Sequence, residues 1–314
     1  MMYEVTSDTS NKDIPMGMDL NDAKEYYLEM YGDFDSKLPP PAFYATEERG
    51  DIFVLDFSLT PDMKPAPCGL KAHGAEKYIA ETKKQLLGYA APRVGHAAEA
   101  IAYLCELYGK TPRFFAAASK QVTGHQAVVL GYKGSTLRFA KIPAMTTLNA
   151  WIRGWAKKFD GIALPFGLAD TPVVTAGLVR LCDRHAKAHG EPSEFWCAVS
   201  TGTMTRALQI GWPGAKANGV AVARNIKPGD IGESNVTSYH KTFYADSDYQ
   251  PAFNTTTNYD AKAYKRFIDE AAPGAVFINV GSDEQIEHKL CDAGDWQNID
   301  GIREWGDLAA FEVE

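Results

Sequence analysis

Phe195-Trp196-Cys197-Ala198-Val199-Ser200-Thr201-Gly202-Thr203-Met204-Thr205 passes from five consecutive apolar residues into small hydroxyl residues around one glycine. The apolar run reads as a fully buried strand, and a helical pattern carrying Arg206 and Leu208 opens at Thr203. A buried strand that turns through a small-residue loop into a helix is the repeating unit of parallel α/β sheets. The loop also carries chemistry. Small side chains let backbone N–H groups approach an anion at a helix N-terminus, which favours a phosphate. No Gly-Lys-Ser/Thr follows, so it is not a Walker loop, and G-x-G-x-x-G is absent.

Working outward, the same alternation fills the chain from residue 51. The pattern predicts strands at Asp51–Leu59, Gly88–Ala91, Arg113–Ala118, Thr136–Ile142, Gly161–Phe166, Ala217–Ala223 and Ala275–Val280. It predicts helices at Ala75–Leu87, Ala97–Tyr108, Gly124–Gly134, Thr146–Phe159, Thr171–His189 and Ala261–Ala271. Residues 225–258 read as loop. Residues 1–50 are polar and Pro-punctuated, an arm with one short helix near Leu20–Tyr31 that wraps over the main body. The expected fold is α/β, with two parallel-sheet three-layer domains, the smaller inserted in the larger. The boundaries expected are 51–91 with 161–314 for the large domain and 92–160 for the small one.

The 314 residues are 45% hydrophobic and 23% charged, a globular composition that excludes wholesale disorder. With 32 Lys plus Arg against 40 Asp plus Glu the net charge is −8, which argues against an electrostatic grip on nucleic acid, though a local basic groove could survive it. Cys68, Cys105, Cys182, Cys197 and Cys291 form a scattered odd set without a C-x-x-C pair, as expected for reduced core thiols in a cytoplasmic protein. The first residues lack a basic start and an apolar run, and no stretch reaches membrane length. No His, Cys, Asp and Glu grouping has metal-site spacing, and no G-x-S-x-G elbow is present.

Two further loops enter predicted helices. Cys68-Gly69-Leu70-Lys71 is followed by His73 and by Glu76-Lys77-Tyr78. A lysine at a helix mouth beside a phosphate loop can have its amine pKa lowered and serve as a Schiff-base nucleophile, although most lysines are merely solvated. Pro92-Arg93-Val94-Gly95-His96 offers a guanidinium suited to a carboxylate and an imidazole suited to a cofactor; both equally fit a plain surface. His125 and His185 are assigned no role.

Taken in order, these segments resemble the fold type II pyridoxal-phosphate enzymes, the tryptophan-synthase-β-like group. The subgroup most like this chain contains 1-aminocyclopropane-1-carboxylate deaminase and D-cysteine desulfhydrase. Cys68–Lys71 with Glu76-Lys77-Tyr78 stands where that subgroup has its cofactor-bearing lysine segment. Val94-Gly95-His96 stands at its Ser-Asn-His loop, and Leu164-Pro165-Phe166-Gly167 at a Pro-x-Gly-Gly-like turn. Thr201–Thr205 stands at the phosphate cup. Tyr259-Asp260-Ala261-Lys262 and Ile278-Asn279-Val280-Gly281-Ser282 match two C-terminal motifs. The matches are collinear over about residues 51–285.

The resemblance implies pyridoxal 5'-phosphate as cofactor, joined to Lys71 as a Schiff base. It implies anchoring by Ser200, Thr201, Gly202, Thr203, Met204 and Thr205, with His96, Asn279 and Ser282 beside the ring. Arg93, Gly95 and His96 are the implied contacts to an amino-acid-like substrate, and Tyr259 a second acid/base group. Deamination, elimination and decarboxylation all remain open, and a homodimer is expected. Three departures stand out: Val280 where relatives face the pyridine nitrogen with a hydroxyl, Met204 where they have glycine, and Arg93. They raise two alternatives, a catalytically inactive phosphate-ligand binder or partner subunit, and a phage-type enzyme acting on an amino acid tethered to a modified DNA base.

Overall fold

The computed structural model describes residues 11–117, 122–222, 231, 232, 234–284, 286 and 287. Cys291 and the ends of two predicted strands, Ala118 and Ala223, lie outside them, as do the last residues of the expected large domain. The chain divides into two units, residues 1–77 with 169–283 and residues 78–168 with 284–314.

The first unit is built on a six-stranded sheet. Its strands are β1 (Ala42–Ala45), β2 (Phe53–Asp56), β7 (Glu194–Val199), β8 (Lys216–Ala221), β9 (Asn235–Ser238) and β10 (Val276–Asn279). They lie in the order β1-β2-β10-β7-β8-β9, all parallel except the β1–β2 pair. The period-two alternation of a strand sends neighbouring side chains to opposite faces. Phe195, Cys197, Val199, Val276 and Ile278 point to one face, with Leu178, Leu181 and Cys182 of α6 (Pro172–His189) and Ala207 and Leu208 of α7 (Thr203–Gly211). Trp196, Ala198, Val54 and Phe277 point to the other, with Ala263, Tyr264 and Phe267 of α8 (Asp260–Glu270). Burial on both faces is why these strands read as continuous apolar runs.

The helix α1 (Leu20–Tyr31) begins on Asp19, whose carboxylate accepts from the N–H groups of Asn21 and Asp22. Its Ala23, Tyr27 and Tyr31 pack against Ala176, Val179 and Ile210, so the expected arm is part of the first unit.

The second unit holds a four-stranded parallel sheet in the order β5-β4-β3-β6. These strands are β3 (Leu86–Ala90), β4 (Thr111–Ala116), β5 (Thr136–Phe139) and the two-residue β6 (Ile162–Ala163). Helix α5 (Met145–Lys158) covers one face through Leu148, Ile152 and Trp155. Helix α3 (Ala97–Leu107), buried over most of its length, packs on β4. The predicted Gly124–Gly134 helix is a single turn, α4 (Gly124–Ala127), followed by a 3-10 turn at Val128–Gly131.

The structure moves the expected boundaries. The expected boundaries put residues 86–90 and 162–163 in the large domain, yet β3 and β6 hydrogen-bond in the smaller sheet. A Cβ on Gly88 would meet the Trp155 ring at 2.6 Å, which places β3 flush under α5. The divisions therefore fall after Lys77 and Leu168, not at 91/92 and 160/161.

Candidate functional site

Helix α2 (Leu70–Glu81) starts earlier than its periodicity suggests, with its first turn fixed to the end of β10. The N–H of Leu70 donates to the carbonyl of Val280 at 3.0 Å. A Cβ on Gly69 would lie 2.3 Å from that same oxygen, so only glycine permits the approach. Lys71 therefore leaves the first turn of a helix clamped to the carboxyl end of β10. Burial, and secondarily the Arg206 cation, lower the Lys71 amine pKa to about 8. His73 on the same helix falls to about 4, through burial and Arg184, and is neutral at pH 7.

The N–H of Val280 donates to Asp260 Oδ2 at 3.0 Å, so both backbone groups of this residue are engaged. Asp260 is fully buried at the start of α8, its Oδ1 has no hydrogen-bond partner, and burial raises its pKa well above the ordinary carboxylate range. Asn279 is equally committed. Its Nδ2 donates to Asp56 Oδ1 at 2.8 Å and to the Asn254 carbonyl at 3.0 Å, and its Oδ1 accepts from Thr255 Oγ1 at 2.7 Å. Both amide hydrogens are used inside the protein, which makes Asn279 a strut between strand ends. Tyr259 donates from its hydroxyl to the Ala198 carbonyl at 3.3 Å, and burial raises its pKa. Ser282 is buried.

The loop at the end of β7 meets α7 through Gly202, which holds φ 74° and offers no side-chain cap. The first hydrogen-bonded amide of the helix is that of Arg206, donating to the Gly202 carbonyl at 3.0 Å. The amides of Thr203, Met204 and Thr205 belong to the opening turn, whose N–H groups have no intrahelical partner. Met204 sends its side chain into the core with Leu178 and Leu208, so its bulk lies away from any ligand over the helix end. Thr205 also faces inward, its hydroxyl 3.3 Å from Cys197 Sγ, while Thr201 and Thr203 place their hydroxyls 3.3 Å apart.

Sequence reading missed Arg206. It is fully buried, its Nε donates to Asp13 Oδ2 at 2.8 Å and its Nη1 to the Thr201 carbonyl at 3.2 Å. The local signal was a cation in the first turn of a helix, where the helix dipole disfavours it, which does not point to any particular partner.

In the second unit His96 is buried at the start of α3, its Nδ1 3.3 Å from Glu99 Oε2. Tyr132 also reaches Glu99, and the His125 ring stands edge-on to His96 at 5.3 Å between centroids. The Arg93 carbonyl accepts from Thr123 Oγ1 at 2.5 Å, and Gly95 turns the chain at φ 108°. Among the described residues no helix is long and apolar enough to cross a membrane.

No protein-family model and no curated protein sequence matches the chain. Solved structures do. An ACC deaminase homologue superposes with TM-score 0.66 at 13% identity, over 84% of this chain and 98% of its own. The processed form of threonine deaminase isoform 2 from Solanum lycopersicum gives 0.66 at 14% identity, over 95% and 100%. A pyridoxal 5'-phosphate-dependent aspartate racemase gives 0.58 at 12% identity, over 82% and 95%. The architecture of this chain is that of the fold type II pyridoxal-phosphate enzymes.

Proposed function

We propose that the chain is a pyridoxal-phosphate-dependent enzyme acting at the α-carbon of an amino acid or amino-acid-like substrate, with Lys71 as the amine that joins the cofactor aldehyde. The observation that carries this reading is Lys71 itself, a lysine with a lowered pKa at the mouth of a helix locked to β10. The residues fit the group. An uncapped helix N-terminus with glycine at positive φ suits a phosphate, and a buried guanidinium stands behind it. When bound, the cofactor supplies an electron-accepting ring that stabilises negative charge at the substrate α-carbon.

The chain's own residues would then do the following. The amides of Gly202, Thr203, Met204 and Thr205, with the hydroxyls of Ser200, Thr201 and Thr203, bind the phosphate. Lys71 is about one tenth neutral at pH 7 given an amine pKa near 8, enough to attack an aldehyde and later to move a proton at the α-carbon. Ser282 is proposed beside the ring. Tyr259 and Asn279 take no part in this proposal beyond holding the strand ends, because their donors are spent on the protein.

The test is direct. Protein incubated with pyridoxal phosphate should turn yellow, and borohydride should fix the cofactor mass on the peptide containing Lys71. Protein that stays colourless and unlabelled would refute the reading, whereas colour surviving in Lys71→Ala would move the attachment elsewhere.

A further inference from the structure

Arg206 lies in the first unit between two parts of the chain far apart in sequence. On one side it meets Asp13, whose own carbonyl accepts from Tyr27 Oη at 2.7 Å. On the other it meets the Thr201 carbonyl. Asn11 tightens the same strap by donating to the Arg206 carbonyl at 2.9 Å and to Gln209 Oε1 at 3.1 Å. The guanidinium therefore sits between the Asp13 carboxylate and the loop, with the positive end of the pair toward the loop. A trans peptide holds its C=O and N–H in opposite directions. Drawing the Thr201 carbonyl onto Arg206 thus turns the Gly202 N–H away from it.

We propose that Arg206, seated by Asp13 of the N-terminal segment, is a positioning residue that prepares the loop for the phosphate of a phosphorylated aldehyde, its charge also reaching the Lys71 amine. This rests on the reading of Lys71 and the loop as one cofactor site, and adds a buried cation and an N-terminal strap to it. A fixed cation favours the uncharged form of a nearby amine. It favours a phosphate dianion at the helix end for the same reason.

The described titratable groups on the elements around Lys71 have partners or constraints of their own. On its own helix His73 is neutral at pH 7, and Glu76 accepts from the Lys37 N–H and from Ser36 Oγ. At the strand ends Asp56 and Asp260 are buried acids with raised pKa values. On the far side of Arg206, Asp170 lies 3.7 Å from Nη2 and pairs with Lys12.

The experiment titrates Lys71 without cofactor, by brief acetic anhydride labelling across a pH series with peptide mass spectrometry. Wild-type Lys71 should be half-reactive near pH 8. Arg206→Met should move that midpoint up by about 0.5 units or more, leaving roughly threefold less neutral amine at pH 7. Arg206→Lys, which keeps the cation, should restore it. The same variants are then trapped with borohydride and either pyridoxal phosphate or unphosphorylated pyridoxal. Arg206→Met should lose most of the preference for the phosphorylated aldehyde, by about tenfold. If Arg206→Met fails to fold by circular dichroism, Arg206→Gln drops the charge while keeping a donor for Thr201 and carries the same measurement. An Arg206→Met variant that keeps the preference for the phosphorylated aldehyde, or a lost preference that Arg206→Lys does not restore, overturns the proposal; a midpoint that stays near pH 8 without the cation overturns its extension to the Lys71 amine. Failure of the wild type to trap either aldehyde would instead sink the cofactor reading and leave the amine titration standing.

Discussion

At the residue scale the site is organised around where protons reside. Leu70, the neighbour of Lys71, and Asp260 bind the two backbone groups of Val280, and burial pushes Lys71 and Asp260 each toward its uncharged form. For Asp260 this has a measurable cost. Unfolded, an aspartate releases its proton near pH 4; folded, the raised pKa requires it to be taken up again. The cost is absent below the ordinary carboxylate range and grows as pH rises toward the raised folded value. Asp260→Asn keeps the acceptor for Val280 and has no proton to lose. It should stabilise the protein by about 1 kcal/mol near pH 7.5 and by almost nothing near pH 4, in urea unfolding curves at the two pH values. A variant whose stability relative to the wild type does not rise between about pH 4 and pH 7.5 would show that the carboxyl is not held uncharged.

At the element scale, strands and helices buried on one or both faces were legible, because their periodicity is written in the residues that make the core. Helix α1 and strand β7 coincide with the reading to within a residue. Strands β1 and β9 were missed, since both are four-residue edge strands, with β9 set in a polar, loop-rich stretch. The start of α2 was misplaced for a different reason. It is fixed by a tertiary contact to Val280, which leaves no local mark except Gly69. Lys71 and the 200–205 loop were recognisable as candidates, but Arg206 was not, because its partner Asp13 lies 193 residues away.

That tertiary dependence makes Gly69 sensitive. Gly69→Ala must break the contact between Leu70 and Val280 or displace β10, and should cost about 2 kcal/mol or more. Gly202→Ala forces a side chain into φ 74° and should cost about 1 kcal/mol. The two differ in a way denaturation and trapping together can read. Gly69→Ala lowers stability and cofactor trapping alike, whereas Gly202→Ala lowers trapping beyond what its stability loss accounts for. Equal effects of both variants on both measurements would deny the loop a specific part in phosphate binding.

At the scale of the whole molecule, each unit carries its own sheet and apolar core, and residues 78–168 form one uninterrupted stretch between the two segments of the first unit. The inserted arrangement was legible from the order of motifs. Its edges were not, because a strand pattern does not say which sheet it joins; β3 and β6 look alike in sequence whether they extend one sheet or another. Net charge is the other whole-molecule property, and it bears on which substrate class the chain can take. An enzyme acting on an amino acid tethered to duplex DNA must hold phosphates along the duplex, and each contact makes affinity fall steeply with salt. With 32 basic residues against 40 acidic ones, the protein's mean field repels such a polymer. A free amino acid meets no such barrier, since one carboxylate needs only one cation. Electrophoretic mobility shift with duplex DNA should therefore show no complex at micromolar protein in about 150 mM salt, and only weak retention in about 50 mM. Strong binding at low salt that falls by orders of magnitude as salt is raised would reveal a basic groove the net charge conceals, and would shift the substrate from free amino acids to the modified nucleotide.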